Sequence, residues 1–375
     1  MKLGIVSEGF PPDKYAGGIG RYYSGLIQEL KKELDEIHVF TGTQKENEEN
    51  IFFHSIKLKK FFLPPINIYL NSINYSKKFH EKLRKFKGKL DLIEAPIATL
   101  NSSSYSKNKF TPLITSIQTP LSQGLTKKTL IFDKQLVYKL EKELIQNSDS
   151  IVTATNYSKK GILKEYFKSD FSKITTIKQG INTEEFRPIK TEKEFNELII
   201  LFAGRIEPRK GLKVLIQAIP FVTAKVKVLV LGEKLNQKLS YHKEIINLIK
   251  KHSIKNIVFL GYQSDKKIIE LYNKADLIVE PSFSESACYV LIEGMSCGKP
   301  VIASSVEGMK EIALNELQFQ AGNYLKLAEK INFLIENQKE RKNLGKKARE
   351  KIIKEYNIKN SAKQYIKLYN SLLDK

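Results

Sequence analysis

Two glutamates bracket an apolar run in the stretch PSFSESACYVLIEGMSCGKPVIAS, residues 281–304, and are the first candidates for chemistry. The sequence ADLIVEPS predicts a strand and CYVLIEGM predicts a helix, so Glu285 falls in the loop between them. Glu293 would lie roughly 7 to 8 Å inside that helix, at 1.5 Å per residue. The two carboxylates are therefore too far apart to share one proton. Each can instead accept a hydrogen bond from a hydroxyl group, such as that of a sugar or a ribose.

The start of the predicted helix lies between these two glutamates. The backbone N–H groups of its first turn, around Cys288, Tyr289 and Val290, have no partner within a helix and can meet an anion. This arrangement predicts an anion site with a hydroxyl-bearing group on either side.

Cationic residues follow another predicted strand. ELIILFAG predicts a buried strand over residues 197–204, and the sequence RIEPRKG then places Arg205, Arg209 and Lys210 just before a helix. Arginine offers a planar fork of donors and lysine a point charge, which together suit a diphosphate. The alternative is that these side chains form only the solvated face of a surface helix.

A glycine-rich loop follows the first predicted strand. In EGFPPDKYAGGIGRYYSGL, the glycines Gly17, Gly18 and Gly20 precede or open a helix, and backbone N–H groups could approach an anion there. Three glycines after a strand are at least as typical of an ordinary tight turn, so both interpretations stay open.

The elements that must position these residues alternate between strand and helix, which indicates an α/β fold. Helical patterns include residues 19–33, 76–87 and 132–147. Short, apolar, β-branched runs predict strands at residues 2–7, 36–40, 90–95, 112–117, 150–154, 197–204, 226–232, 256–261, 275–282 and 300–304. A chain of 375 residues exceeds what one core usually supports. We therefore expect two doubly wound, Rossmann-like domains, residues 1–185 and 186–356, joined near residues 183–195, with ligands beyond the carboxyl ends of the strands.

Composition narrows the class of protein. The chain has no run of about 18 uncharged apolar residues, and MKLGIVSEGF begins with a strand pattern, so we expect a cytoplasmic protein without a membrane span. Cys288 and Cys297 are expected to be small core residues rather than a disulfide. The five histidines are scattered, and no zinc site is expected.

These motifs, taken together, resemble the retaining GT-B glycosyltransferases of family 4, which use nucleotide-diphosphate sugars. The resemblance covers most of the chain. It includes the FPP…GG loop, QGIN with a following F and P at residues 179–188, GRIEPRKG at 204–211, FLGY at 259–262, and the two glutamates with seven residues between them. The pairing of the GR…KG motif with these two glutamates is more specific than any single glycine loop.

The resemblance implies roles for individual residues. Arg205 and Lys210 would neutralise the donor diphosphate, Glu293 would hold the ribose hydroxyls, and Glu285 would contact the donor sugar. The glycine loop with Gly17 and Gly18 would line the phosphate and acceptor side. The segment at Gly261 and Tyr262 would run past the base of the donor nucleotide. It also implies two Rossmann-like domains that face a central cleft, with a final helix, residues 357–375, that returns to the first domain.

Two departures from the family pattern affect specificity. ESAC stands where the family commonly has Glu-Gly-Phe-Gly, and SIQTP supplies Gln118 where a histidine is common. Gln118 can donate and accept hydrogen bonds but cannot titrate near neutral pH. We expect it in the site, where it would orient the donor sugar, or alternatively as a residue that only caps the strand end.

The expected activity is transfer of a sugar from a nucleotide-diphosphate donor to a glycan or lipid-linked acceptor, as in polysaccharide or glycolipid synthesis. The sequence has no Asp-x-Asp motif, so no metal and no cofactor is expected. The alternatives are a GT-B nucleotide-sugar epimerase or hydrolase, and a nucleotide-sugar-binding protein that has lost catalysis.

The formal net charge of +22 is partly local. Between residues 57 and 89 there are ten basic residues and one acidic residue, Glu81, interleaved with apolar side chains. This pattern, over residues 57–90, predicts peripheral binding to an anionic membrane surface, with a solvated helix face as the alternative. No recognised nucleic-acid-binding motif accompanies the charge, so nucleic acid is not an expected partner.

Overall fold

The structure is a computed structural model that describes residues 1–7, 9–10, 17–58, 67–118, 131–166, 172–191 and 197–374. The chain forms two compact units: Met1–Gly180 together with Ile358–Lys375, and Ile181–Asn357. The change of unit at residue 180 lies five residues before the domain boundary expected at residue 185. The second unit is thus an insertion within the first.

The first unit contains one sheet of seven strands, all parallel. The strands are β1 (Lys2–Ser7), β2 (Glu36–Thr41), β3 (Ile51–Ser55), β4 (Leu92–Pro96), β5 (Leu113–Ile117), β6 (Ser150–Thr153) and β7 (Ile174–Thr176). The helices are α1 (Gly17–Leu30), α2 (Asn67–Arg84), α3 (Ser103–Lys107), α4 (Ile131–Asn147), α5 (Asn156–Tyr166) and, from the far end of the chain, α13 (Ile358–Leu373).

The second unit contains a parallel sheet of six strands. The strands are β8 (Leu198–Ala203), β9 (Val226–Leu231), β10 (Ile257–Gly261), β11 (Leu277–Glu280), β12 (Val301–Ser304) and β13 (Gln318–Phe319). The helices are α6 (Leu212–Ala218), α7 (Ser240–Lys251), α8 (Asp265–Lys274), α9 (Tyr289–Ser296), α10 (Met309–Ile312), α11 (Tyr324–Glu336) and α12 (Gln338–Glu355). Side-chain N-caps fix two of these starts, because Ser264 and Asn323 each accept a hydrogen bond from the backbone N–H three residues ahead.

Both sheets reverse their strand order at one place. The first sheet runs β3-β2-β1-β4-β5-β6-β7 and the second β10-β9-β8-β11-β12-β13. From β1 the chain continues outward to β2 and β3, whereas from β4 it continues in the opposite direction to β5, β6 and β7. In the second sheet, β8 and β11 flank the equivalent point. This is the doubly wound arrangement, and ligands bind in the crevice that opens at such a reversal.

The predicted fold class is confirmed, and all ten predicted strands are present. The apolar runs are buried on both faces, as parallel strands require; every residue of β4, β5, β11 and β12 is buried. Three strands were not predicted: β3, β7 and β13. β7 and β13, with three and two residues, are shorter than any predicted strand, and β3, with five residues, has only three successive apolar ones, Ile51 to Phe53.

Other expectations concern helices and cysteines. α2 begins at Asn67, nine residues before the predicted start, because its first turns are rich in asparagine and β-branched residues that obscure the helical pattern.

Cys288 and Cys297 are both buried and free of disulfide bonds, as expected.

Gly180 allows α13 to pack at the end of the first unit. A β-carbon at this position would lie 2.6 Å from the backbone nitrogen and Cα of Ile358 and from Ser361 Oγ. The backbone N–H of Gly180 donates to Ser361 Oγ at 3.0 Å, and this hydroxyl donates to the Lys178 carbonyl at 2.7 Å. The first turn of α13 is thereby joined directly to the chain that leaves the first unit.

We expect Gly180→Ala to lower the free energy of unfolding by about 1 to 3 kcal/mol, because the added methyl group overlaps backbone atoms that cannot move aside cheaply. Gly161→Ala in α5 is the matched control: a β-carbon added there would have no atom within 4 Å, and the exchange should stabilise the helix by about 0.5 to 1 kcal/mol. Urea unfolding of both variants checks this. Equal unfolding midpoints would contradict the tight packing of α13 against Gly180.

Candidate active site

The loop after β8 delivers its cationic residues to the end of β11. Pro208–Lys210 forms a short 3-10 turn, which Gly211 ends with a positive φ of 70°. A β-carbon on Gly211 would lie 2.0 Å from the Pro281 carbonyl oxygen, so only glycine fits this close approach between the two loops. In the same contact, the Phe283 N–H donates to the Arg209 carbonyl at 2.7 Å.

Lys210 and Glu285 form a buried ion pair at the strand-order reversal of the second sheet. Lys210 Nζ lies 2.6 Å from Glu285 Oε1, and Arg209 Nη1 lies 2.8 Å from the same oxygen. The side chains of Lys210 and Glu285 are only 13% and 7% exposed. Arg209 also donates to the Ser284 carbonyl at 2.8 Å and to Glu207 at 2.9 Å. Glu285 is therefore held by two cations from the opposite loop.

Glu280 adds a second buried carboxylate to this cluster. It is the last residue of β11 and is completely buried. The Cys288 thiol lies 3.8 Å from its Oε2, while its Oε1 has no hydrogen-bond partner within the described ranges. Burial raises the pKa of Glu280 to about 8, although the Lys210 ammonium opposes this shift. Glu280 is thus largely protonated at neutral pH.

Neighbouring groups raise the pKa of Lys210 and keep its ammonium group charged. Burial of the ammonium group lowers its pKa, but the net pKa lies above the ordinary value, and the Glu285 carboxylate is the largest of the effects that raise it. Burial also raises the pKa of the Cys288 thiol well above its usual range. Lys210 is therefore a permanent cation beside a neutral thiol.

Arg205 differs from Lys210 in its exposure. Its side chain is 63% exposed, and Nη2 lies 3.1 Å from Glu207 Oε1. Exposed pairs of this kind contribute about 0 to 1 kcal/mol, so the guanidinium can leave Glu207 at little cost. Of the two cations predicted to bind a diphosphate, Lys210 is fixed in place and Arg205 is at the surface.

Glu293 lies in α9, which begins at Tyr289 after the cap residue Cys288 and has Val290 in its first turn. The side chain of the cap residue Cys288 makes no capping hydrogen bond within the described ranges. The Glu293 carboxylate is buried and accepts a hydrogen bond from the Tyr272 hydroxyl at 2.6 Å. Glu285 in the loop, the helix start and Glu293 inside the helix therefore follow one another as predicted, whereas the ion pairs of Glu285 were not predicted.

The loops after β9 and β10 meet the loop after β8 through Glu233. Its Oε1 accepts a hydrogen bond from the Ile206 N–H at 2.8 Å, and its Oε2 accepts one from the Tyr262 hydroxyl at 3.4 Å. Gly261, with a φ of 75°, turns the chain at the end of β10, and the half-exposed Tyr262 follows it. Both residues thus lie at the same strand edge as the ion pair.

The remaining predicted site residues belong to the first unit. Gly17 and Gly18 begin α1, while residues 11–16 of the glycine-rich loop lie outside the described residues. Gln118 follows β5, is 7% exposed, and donates through Nε2 to Ser116 Oγ at 3.3 Å.

Two residues of the ion-pair cluster are not among those predicted to act. Arg209 was placed at the strand end without a role, and its contact with Glu285 depends on the turn that Gly211 permits. Glu280 went unnoticed, although a glutamate inside the apolar run LIVEPS is itself a signal, because a carboxylate is rarely buried without a function or a partner.

The part of the chain that the structure describes contains no cluster suited to a metal ion, since no group of three or more His, Cys, Asp or Glu side chains could hold one. None of the described helices combines the length and apolar character needed to cross a bilayer.

Sequence comparisons identify the family of this chain. Residues 183–351 match the model of glycosyl transferases group 1, and residues 16–185 match that of glycosyltransferase family 4. An uncharacterized glycosyltransferase of Methanocaldococcus jannaschii is 31% identical over 383 residues, which cover 100% of this chain and 99% of that protein. The N,N'-diacetylbacillosaminyl-diphospho-undecaprenol alpha-1,3-N-acetylgalactosaminyltransferase of Campylobacter jejuni is 30% identical over 54% of this chain and 55% of its own length.

Solved structures show the same fold. Sucrose-phosphate synthase from Thermosynechococcus elongatus superposes with a TM-score of 0.86 at 19% identity, covering 100% of this chain and 99% of that one. HepE from Anabaena in complex with UDP-glucose superposes with a TM-score of 0.77 at 19% identity, covering 99% and 100%. With two doubly wound sheets and matches along nearly its whole length, this chain belongs to the GT-B glycosyltransferases of family 4.

Proposed function

We propose that this glycosyltransferase moves a sugar from a nucleotide-diphosphate donor to a lipid-linked or glycan acceptor, with retention of the anomeric configuration. The observation that carries the proposal is the Lys210–Glu285 ion pair at the strand-order reversal of the second sheet. A UDP-sugar is the first candidate donor, because the similar HepE structure holds UDP-glucose. The name of the Campylobacter relative, which acts on a diphospho-undecaprenol sugar, supports a lipid-linked acceptor.

On donor binding, the diphosphate would replace Glu285 as the partner of Lys210 and Glu207 as the partner of Arg205. A diphosphate draws Lys210 and the exposed Arg205 toward itself, while Arg209 keeps its contact with Glu285. The Glu285 carboxylate then has lone pairs available for a hydroxyl of the donor sugar. Glu293 would hold the ribose hydroxyls, and the segment at Gly261 and Tyr262 would pass the base.

Retention requires that the acceptor attack from the face that the diphosphate leaves. In this scheme the departing diphosphate takes the proton of the acceptor hydroxyl as the new glycosidic bond forms. The protein then needs no separate base, and its contribution is to position the substrates and to stabilise the charge that develops on the diphosphate. Lys210 is suited to this because it is already charged and oriented before the donor arrives.

The activity can be tested first by donor binding. A panel of UDP-, GDP- and ADP-sugars should contain at least one that raises the melting temperature and yields transfer to a prenyl-diphosphate sugar acceptor. Release of free sugar alone would indicate a hydrolase, and an epimerised nucleotide sugar would indicate an epimerase. If none binds, the proposed function is wrong.

Glu293→Ala should weaken nucleotide binding about 10- to 100-fold while kcat changes little, because a ribose contact is equally strong in the ground and transition states. Tyr272→Phe is the matched control: it removes the hydroxyl that contacts Glu293 but leaves the carboxylate. Titration with UDP by calorimetry, alongside kcat, measures the two effects. A parental UDP affinity in Glu293→Ala would remove this residue from the nucleotide site.

Lys210→Ala and Arg205→Ala should each lower kcat roughly 100- to 1000-fold, because a preorganised cation stabilises the leaving diphosphate most strongly in the transition state. Lys213→Ala is the control, since Lys213 lies on α6 and forms an exposed pair with Glu244. Activity of the parent protein should survive EDTA. Loss of activity with the chelator, or near-parental rates in both cation variants, would refute a metal-independent diphosphate clamp.

The basic segment supplies a test of membrane association. Residues 59–66, with Phe61, Phe62 and Leu63, lie outside the described residues, but Arg84, Lys85 and Lys87 lie on the surface at and beyond the end of α2. At about 1 kcal/mol per basic residue, changing all three to Ala should weaken binding to anionic vesicles on the order of 100-fold at low salt. Changing the exposed Lys339, Lys342 and Lys346 of α12 to Ala removes the same charge elsewhere and should have little effect. Equal sedimentation of the parent with neutral and anionic liposomes would exclude this surface as a membrane site.

A further inference from the structure

Glu280 brings an unsatisfied carboxyl oxygen into the ion-pair cluster of the second unit. The residue ends β11 and is completely buried, and its Oε1 has no hydrogen-bond partner within the described ranges. Its Oε2 lies 3.8 Å from the Cys288 sulfur, and the Lys210 ammonium is close enough to lower its pKa. An acceptor that is buried without a partner costs stability, so its presence at this place calls for an explanation.

Lys210 has hydrogen-bonding capacity that Glu285 does not use. An ammonium group has three N–H donors, and in the described part of the chain only Glu285 Oε1, at 2.6 Å, accepts from Lys210 Nζ. On donor binding the ammonium group would leave this oxygen for the diphosphate. A neutral second acceptor would then keep Lys210 oriented without reducing its charge. Glu280 Oε1 is such an acceptor when the acid proton is on Oε2, which faces the Cys288 sulfur.

The protonation state of Glu280 also decides the net charge of the cluster. Ion pairs join three cations and two carboxylates, namely Arg205, Arg209, Lys210, Glu207 and Glu285. These five groups leave one net positive charge, and a neutral Glu280 preserves it for the diphosphate. An ionised Glu280 would reduce the net charge to zero. It would also repel the diphosphate from a buried position, where salt screens charges only weakly.

We propose that Glu280 is a positioning residue that, in its neutral form, orients Lys210 toward the donor diphosphate and, when ionised, opposes donor binding. The inference rests on the proposed function and deepens it, because it identifies what holds the cation of the diphosphate site once Glu285 has released it. All of the residues concerned belong to the second unit.

The two forms of Glu280 interconvert slightly above neutral pH. Burial raises the pKa of Glu280 to about 8; the Lys210 ammonium lowers it and the Glu285 carboxylate raises it. The Cys288 thiol also faces Glu280, and burial raises the pKa of this thiol well above its usual range. The net pKa of Lys210 likewise lies above its ordinary value. Of Glu280, Cys288 and Lys210, only Glu280 therefore changes charge between pH 7 and pH 9, and donor affinity should fall as the pH rises through this range.

The test measures the affinity of UDP by calorimetry for the parent protein and for Glu280→Gln, with GDP or ADP in its place if the donor panel favours another base. The variant keeps a neutral acceptor at every pH. Because the neutral fraction of Glu280 falls about tenfold from pH 7 to pH 9, the variant-to-parent affinity ratio should rise about tenfold over that range. At pH 9, titrations in two buffers of different ionisation enthalpy should show the parent taking up about nine-tenths of a proton more per UDP than the variant.

Glu280→Met separates the anchoring of Lys210 from the charge of Glu280. Methionine is similar in size and uncharged but has no oxygen acceptor. With the donor and acceptor that the panel identifies, its kcat at pH 7 should therefore lie about 5- to 10-fold below that of Glu280→Gln.

Three results would overturn the inference while the transferase activity remains: an affinity ratio for Glu280→Gln that does not change with pH, equal proton uptake by parent and variant, or equal kcat values for the Gln and Met variants. Absence of nucleotide-sugar binding by the parent at pH 7 would instead overturn the proposed function.

Discussion

The reversal of strand order in each sheet is the constraint on which the functional architecture depends. Parallel strands place the following loops at one edge, and the reversal separates two neighbouring connections so that a ligand can enter between them. In the second unit these are the loops after β8 and β11, which supply Lys210 and Glu285. Because the two loops come from adjacent strands, their cation and carboxylate meet without long side chains reaching across solvent. Gly211 is needed at this point because the loops approach to within backbone contact.

Each unit contains a wholly buried carboxylate on the strand that lies just beyond its reversal. Glu94 is on β4 and Glu280 is on β11, and burial raises the pKa of both into the neutral range. Their partners differ in kind. Glu94 is surrounded by tyrosine hydroxyls, which are neutral donors, whereas Glu280 lies near the permanent charge of Lys210. Similar strand positions in two related sheets therefore support different electrostatic environments, one made of neutral donors and the other beside a fixed positive charge.

Sequence patterns predicted the fold class, ten of the strands, and the residues that follow β8 and β11. These features depend on local runs of apolar residues and on the loops next to them. The strands β3, β7 and β13 were missed because they pair with a sheet but have little or no apolar run of their own. The contact of Arg209 with Glu285 and the hydrogen bond of Tyr369 to Glu94 were missed for another reason: each joins residues that only the folded chain brings together. Tyr369 and Glu94 are 275 positions apart, and neither residue signals the other.

The insertion of one unit within the other has a consequence for biosynthesis. Ile181 and Asn357 form a backbone bridge, so the chain enters and leaves the second unit side by side. On the ribosome, the whole second unit is made before α13, and it can fold between two closely spaced ends. The first unit begins earlier but is finished later, because Glu94 receives the Tyr369 hydroxyl only after α13 has emerged. Until then the buried Glu94 carboxylate lacks one of its hydrogen-bond donors, so the first unit completes its fold after the second unit.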